Sequence, residues 1–124
     1  MLNFVNLTPH DIIVRSENGD RVFQPSGQVA RLNTRQINVT PIEGIPVVVT
    51  QLGVVEGLPE PKNGIFYIVS SLIAQAVRNR PDVFSPDTGP TAIRDEDKQI
   101  VAVIRFQTFT SNWSDENFTS TVGD

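Results

Sequence analysis

The sequence predicts a β-rich α+β domain, mostly antiparallel and barrel- or sandwich-like, with one short α-helix near 71–80 and a long loop over 81–98. Three observations carry this. Short β-branched and aromatic runs recur between clusters of Gly, Pro, Asn and Ser. A single segment, after Ser70 and Ser71, places apolar residues at helical spacing. Strands do not alternate with helices along the chain, so the βαβ alternation of a parallel sheet is not expected. The 124 residues suit one domain, read as residues 1–109 followed by a polar, loosely ordered tail over 110–124.

In chain order, Phe4-Val5 and Ile12-Ile13-Val14 read as strands flanking Asn6-Leu7-Thr8-Pro9-His10-Asp11, where Pro9 fixes its own φ and removes a donor. Residues 15–23 read as a hairpin, with Asn18-Gly19 as the dipeptide of a type I′ turn. Val29-Ala30-Arg31-Leu32 alternates like a half-buried strand. Gly44 opens Ile45-Pro46-Val47-Val48-Val49-Thr50, a β-branched run that suits a buried strand with Pro46 at its start or on an edge. Gly57-Leu58-Pro59-Glu60-Pro61 is too rich in Pro for helix or ladder, and Ile65 to Val69 is the clearest core strand. Ser70 or Ser71 caps the helix, in which Leu72, Ile73, Ala76 and Val77 fall on one face and which carries Arg78 and Arg80 at its end and stops at Pro81. Ile100 to Phe106 is the last strong strand, and Trp113 and Phe118 are the residues able to pin the tail.

Composition narrows the function. The chain has no Cys, one His and a net charge of −4. Disulfides, thiolate catalysis and Cys-type zinc sites are thereby excluded, and a cytoplasmic protein is the default. The acidic balance removes the phosphate-neutralising term that general nucleic-acid binding needs. No apolar run reaches the ~20 residues of a membrane span, and the first residues lack the layout of a signal peptide. Dinucleotide, Walker, nucleophile-elbow and zincin motifs are absent. A lone His builds no multi-His centre, so neither metal nor cofactor is expected.

The candidate ligand-binding residues are therefore polar side chains beside turns. His10, after Thr8 and Pro9, can donate, accept or change charge near neutrality; its bland reading is a turn imidazole. Eight of the ten basic residues are Arg, and a guanidinium fork matches phosphate or carboxylate. Arg80 and Arg94 border the long loop, each with an acidic neighbour, Asp82 and Asp95; as plain surface pairs these contribute little. Arg78 suits the helix end. Tyr67 leads into Ser70 and Ser71, where free N–H groups and two hydroxyls converge, as they also would in an ordinary cap. If the loop folds back to that point, Ser70, Ser71 and Arg94 hold an anion together. A His10–Ser70–Asp95 triad can also be written, as it can in many chains of this composition.

Taken in order, Asn6-Leu7-Thr8-Pro9-His10, Pro25-Ser26-Gly27 with Ala30-Arg31, Gly57-Leu58-Pro59, Tyr67-Ile68-Val69-Ser70, Arg80-Pro81-Asp82-Val83 with Pro86, and Arg94-Asp95-Glu96 before Ile100-Val101 form a recurring set. This set resembles a group of small bacteriophage and bacterial proteins without a settled function. The resemblance spans most of residues 5–106 and implies a small cytoplasmic protein without a cofactor. It marks Thr8, Pro9, His10, Ser70, Arg80, Asp82, Arg94 and Asp95 as positions kept polar or special, and it supplies no catalytic residue.

Three functions are expected in order. The first is a non-enzymatic protein, of phage origin, that binds a small anionic nucleotide-like ligand and sequesters a host defence signal. In it Arg80 and Arg94 pair with phosphate, Ser70 and Ser71 donate, and His10 or Tyr67 meets the base. The alternative is a structural or protein-interaction protein, a homo-oligomer joined through exposed edges with Trp113 and Phe118 as anchors. The third is a small hydrolase with His10 as general base and Asp95 or Asp82 as its partner.

Overall fold

Phe66 to Ile68 is buried in a strand, Ile65–Ile68, that is apolar on both faces, and a sheet built around it must be covered twice. The computed structural model describes residues 2–111 and Trp113. Its elements are β1 (Asn3–Asn6), β2 (Ile12–Ser16), β3 (Gly19–Phe23), β4 (Arg31–Ile42), β5 (Ile45–Glu56), β6 (Ile65–Ile68), α1 (Ser71–Ala76), β7 (Val83–Pro86), β8 (Ile93–Arg94), β9 (Ile100–Ala102) and β10 (Phe106–Gln107). The fold is α+β and β-rich, with mostly antiparallel pairing and one short helix. Rather than one barrel or sandwich, the strands form a four-stranded sheet, β1-β6-β7-β10, and three two-stranded ribbons, β2-β3, β4-β5 and β8-β9.

The centre of the four-stranded sheet differs from expectation. β1, β6 and β7 run parallel, and β10 is antiparallel to β7. The segment β6-α1-β7 is thus one βαβ unit in a chain where none was expected. It escapes the sequence because Val83-Phe84-Ser85 sits between Pro81 and Pro86 and reads as loop. Pairing with β6 rescues it: Tyr67 N–H donates to Asp82 O and Val69 N–H to Phe84 O, both at 2.9 Å. The expected loop over 81–98 therefore carries β7 and β8. The helix is also shorter than 71–80. Ser70 caps it, accepting from Ile73 N–H, and it ends at Ala76 with Val77 outside helical geometry. Arg78 Nε donates back to Gln75 O at 3.3 Å, and Arg80 is drawn away to Asp82.

Alternation along the strands gives the sheet two different faces. On one, Val5, Tyr67 and Val83 meet the helix residues Ile73 and Ala74 with Leu7, Ala30 and Val69. On the other, Phe4, Phe66, Phe84 and Phe106 form a continuous aromatic layer with ring centroids 5.3 to 6.2 Å apart. Phe23 of β3 covers it edge-on at 5.2 Å from Phe4, Arg21 lies 4.8 Å above the Phe23 ring, and Trp113 lies 5.9 Å from Phe84. Trp113 thus anchors to the core of its own chain; Phe118 lies outside the described residues.

The two longer ribbons turn differently. In β2-β3 the turn runs over Glu17-Asn18, and Gly19, at φ 110°, closes it opposite Ser16. The expected Asn18-Gly19 turn is displaced by one residue. In β4-β5 both central residues, Glu43 and Gly44, have positive φ (50° and 79°), as a type I′ turn requires.

Candidate functional site

The nine residues singled out from the sequence do not form one site. Around Thr8 the polar groups satisfy one another. Asn6 is buried; its Nδ2 donates to His10 O and Phe23 O at 2.8 Å each, and its Oδ1 accepts from Thr8 N–H at 2.9 Å and Thr8 Oγ1 at 2.7 Å. Thr8 therefore locks the turn that presents His10, whose side chain is exposed. Signals in Asn6-Leu7-Thr8-Pro9-His10 are structural at the first and third positions.

Arg80 and Asp82 close a second knot. Arg80 donates through Nε and Nη2 to the two carboxylate oxygens of Asp82, each at 2.8 Å, and through Nη2 to Pro59 O at 3.0 Å. Both side chains are largely withdrawn from water, 18% and 15% exposed, so the fork that would meet a phosphate is occupied. Asp82 raises the Arg80 pKa further above its ordinary value, chiefly through these hydrogen bonds. Tyr67, beside them, is 2% exposed and donates to Glu60 O at 3.3 Å. Burial first, and the Asp82 charge second, push its phenol up. This knot ties the Pro-rich loop 57–61 to the sheet.

Ser70 caps α1, and Ser71 Oγ accepts from Gln75 Nε2 at 3.2 Å. Arg94 and Asp95 belong to another neighbourhood: their ribbon packs along β2, whereas α1 packs on β7 and on the base of β4-β5. Arg94 Nη1 donates to Lys98 O at 2.7 Å, and Asp95 Oδ1 accepts from Asp97 and Gln99 N–H. Asp95 thus builds a turn rather than orienting an imidazole. Among the described residues no group of three or more His, Asp or Glu is placed to hold a metal ion, and no helix is long and apolar enough to cross a membrane.

Of the nine residues, His10 borders a cleft of about 260 Å3. Its walls are Ile12, Ile13 and Pro86 with Ile100-Val101-Ala102-Val103, and Asp11 and Thr88 add polar groups. The cleft exists because β2 and the β8-β9 ribbon are bridged by backbone: Arg15 N–H donates to Val103 O at 2.8 Å and Val103 N–H to Ile13 O at 2.9 Å. Asp11 and Thr88 carried no motif, and Ile100 to Val103 read only as a strand.

The largest unexpected feature is the β4-β5 ribbon, two strands of 12 residues. Its base joins the core through Leu32 and Val55. Beyond the base, each strand pairs with its partner alone among the described residues. The β-branched run Ile45 to Thr50, expected to be buried, lies on this arm and is largely exposed. The register assigns faces. Ile37 pairs with Val49, Val39 with Val47 and Ile42 with Ile45, and directly opposed residues share a face. Between Val39 and Ile42 the register shifts, with Thr40-Pro41 opposing Pro46. This bulge returns Ile42 to the face of Val39. One face is therefore six β-branched apolar residues in succession, with Ile42 and Ile45 each 64% exposed at the tip. The opposite face pairs Thr34 with Leu52, Gln36 with Thr50 and Asn38 with Val48. Between Arg35 and Glu56 the only charged residue is Glu43.

Compared with known proteins, the chain matches no family model, no curated protein and no solved structure.

Proposed function

We propose that this protein is a non-enzymatic interaction module whose working element is the β4-β5 arm. One observation carries the reading: a six-residue apolar face, with almost no charge near it, projects from the body on a ribbon paired only with itself among the described residues. A two-stranded ribbon is at best marginally stable alone in water. Exposed apolar patches of this kind mark protein-binding surfaces, and bare strand edges invite further strands. The engaged state of Arg80, Asp82 and Asp95 gives the hydrolase reading no support.

The test shortens the arm. Residues 36–50 are replaced by an Asn-Gly turn between the paired Arg35 and Gln51, and native cell extracts of the two forms are compared by size-exclusion chromatography. The full chain elutes well above its 13.7 kDa mass, and the shortened chain elutes as a monomer. Elution of the full chain as a monomer overturns the reading.

A second reading, capture of a small molecule without turnover, is favoured by the cleft beside His10. That cleft suits a neutral or cationic ligand better than the anionic nucleotide expected from the sequence. Asp11 lies in its wall, and neither Arg80 nor Arg94 lines it. Its volume also falls below the ~300 Å3 at which ligand pockets usually begin. Titrating the purified protein with uncharged, cationic and nucleotide ligands, followed by the His10 imidazole NMR signals, checks this. If nucleotides alone move them, the charge argument fails.

A further inference from the structure

We propose that the arm tip of one chain seats in the His10 cleft of a second copy, two chains exchanging arms about a two-fold axis. This rests on the interaction reading above and names the partner.

The chain carries both halves of the contact. Ile42 and Ile45 form an aliphatic knob at the tip. The cleft has aliphatic walls, and no residue of the arm lines it in its own chain. It is small for an ordinary ligand and shaped by Ile and Val, which suits a pair of branched side chains. Asp11 in the lining does not favour Glu43 at the tip, so apolar contact, not charge, carries the fit.

Beyond the base at Leu32 and Val55, the strand runs on to Ile42 and extends about 30 Å, as far as a small domain is across. The arm can therefore lie across a neighbouring body and still bring its tip to the cleft.

One face of the free part of the ribbon, ~30 Å long and ~10 Å wide, offers about 300 Å2. In a reciprocal exchange each chain contributes its own arm face and the surface that receives its partner's. That gives about 600 Å2 per chain, or about 1,200 Å2 in all, the lower end of the range for stable interfaces. A partner without an arm of its own would bury half as much. Exchange also closes on itself, so it ends at two chains instead of continuing as a filament.

The test begins with the purified full chain in sedimentation velocity across a dilution series. A mass of twice 13.7 kDa is expected. The double variant Ile42→Asp/Ile45→Asp is expected to halve that mass while the circular dichroism of the body is unchanged. Because the chain has no Cys, Ile45→Cys together with Val101→Cys gives a clean cross-link. Oxidation should yield a covalent dimer when both are present and none with Ile45→Cys alone. A dimer that survives the Asp substitutions, or a covalent dimer from Ile45→Cys alone, overturns the exchange. A purified monomer that still forms an arm-dependent larger complex in extract overturns the second copy as partner and leaves the interaction reading standing. A monomer in both settings overturns both.

Discussion

Arg80 and Asp82, two residues apart, are joined through both carboxylate oxygens, and the same guanidinium reaches Pro59 O at 3.0 Å. The pair therefore clamps the loop 57–61 to the strand that begins at Val83. Removing one partner leaves the other largely buried and uncompensated, which is the costly way to break such a pair. Arg80→Ala is expected to destabilise the fold by about 2 to 3 kcal/mol, measured by urea unfolding. Arg80→Lys should recover less than half of this, because an ammonium cannot reproduce the fork. If Arg80→Ala unfolds at the wild-type urea concentration, the clamp contributes nothing.

Gly57 tests the root of the arm. Its φ is +82°, and a Cβ there would lie 2.6 Å from Val29 O. Gln28 Nε2 donates to Gly57 O at 2.9 Å across the same junction. Gly57→Ala combines an unfavourable left-handed residue with a backbone clash, and about 3 kcal/mol of destabilisation is expected. Hydrogen exchange should show the loss at the junction of Val29 with Gly57. Unchanged thermal unfolding would mean that the junction shifts at no cost.

The core was legible in the sequence and the arm was not, for one physical reason. Ile65 to Val69 reads as a buried strand because it is apolar on both faces, and Phe66 to Val69 are buried. Val47-Val48-Val49 has the same local character but pairs only with β4 among the described residues, and composition does not encode which strands receive a cover. Gly44 marks the turn. The shared face of Ile42 and Ile45 depends on a bulge at Thr40-Pro41, which shifts the period-two pattern a sequence reader relies on. Val83 to Pro86 was hidden by its flanking prolines in the opposite way: its partner, β6, makes the strand. The polar site failed for a third reason. Arg80 and Asp82, or Asp95 and Gln99, satisfy one another locally, and a sequence shows the donors and acceptors without showing which are already used.

Asn6 makes four hydrogen bonds while 2% exposed. Asn6→Ala takes a donor from the carbonyls of His10 and Phe23, the first keeping Thr8 Oγ1 at 3.0 Å, and removes the Oδ1 acceptor of Thr8. A loss of about 2 to 4 kcal/mol is expected, since each unpaired buried group costs its own desolvation. Asn6→Asp keeps the acceptor but points a carboxylate at two carbonyl oxygens, so it should be no better. Chemical denaturation checks both. A Asn6→Asp protein as stable as wild type would show that these carbonyls find other donors.

Asp87 supplies the acid limb of stability. Arg105 Nε donates to its Oδ2 at 2.6 Å and Gly89 N–H to its Oδ1 at 3.0 Å. Arg105 first, and the Gly89 amide second, hold its carboxyl below the usual range. Asp20 is held low in the same way by hydrogen bonds from Arg15. Below an ordinary Asp pKa of about 3.9, the unfolded chain takes up protons before these folded carboxylates do, so unfolding gains protons. Their contribution is thus fully present above that pH and is lost as pH falls through the lower folded values. Arg105→Gln removes the larger cause at Asp87. Its stability should fall less steeply than wild type as the pH drops below about 4, followed by urea unfolding at several acidic pH values. Equal slopes for the two proteins would mean that Arg105 does not hold the Asp87 carboxyl low in solution.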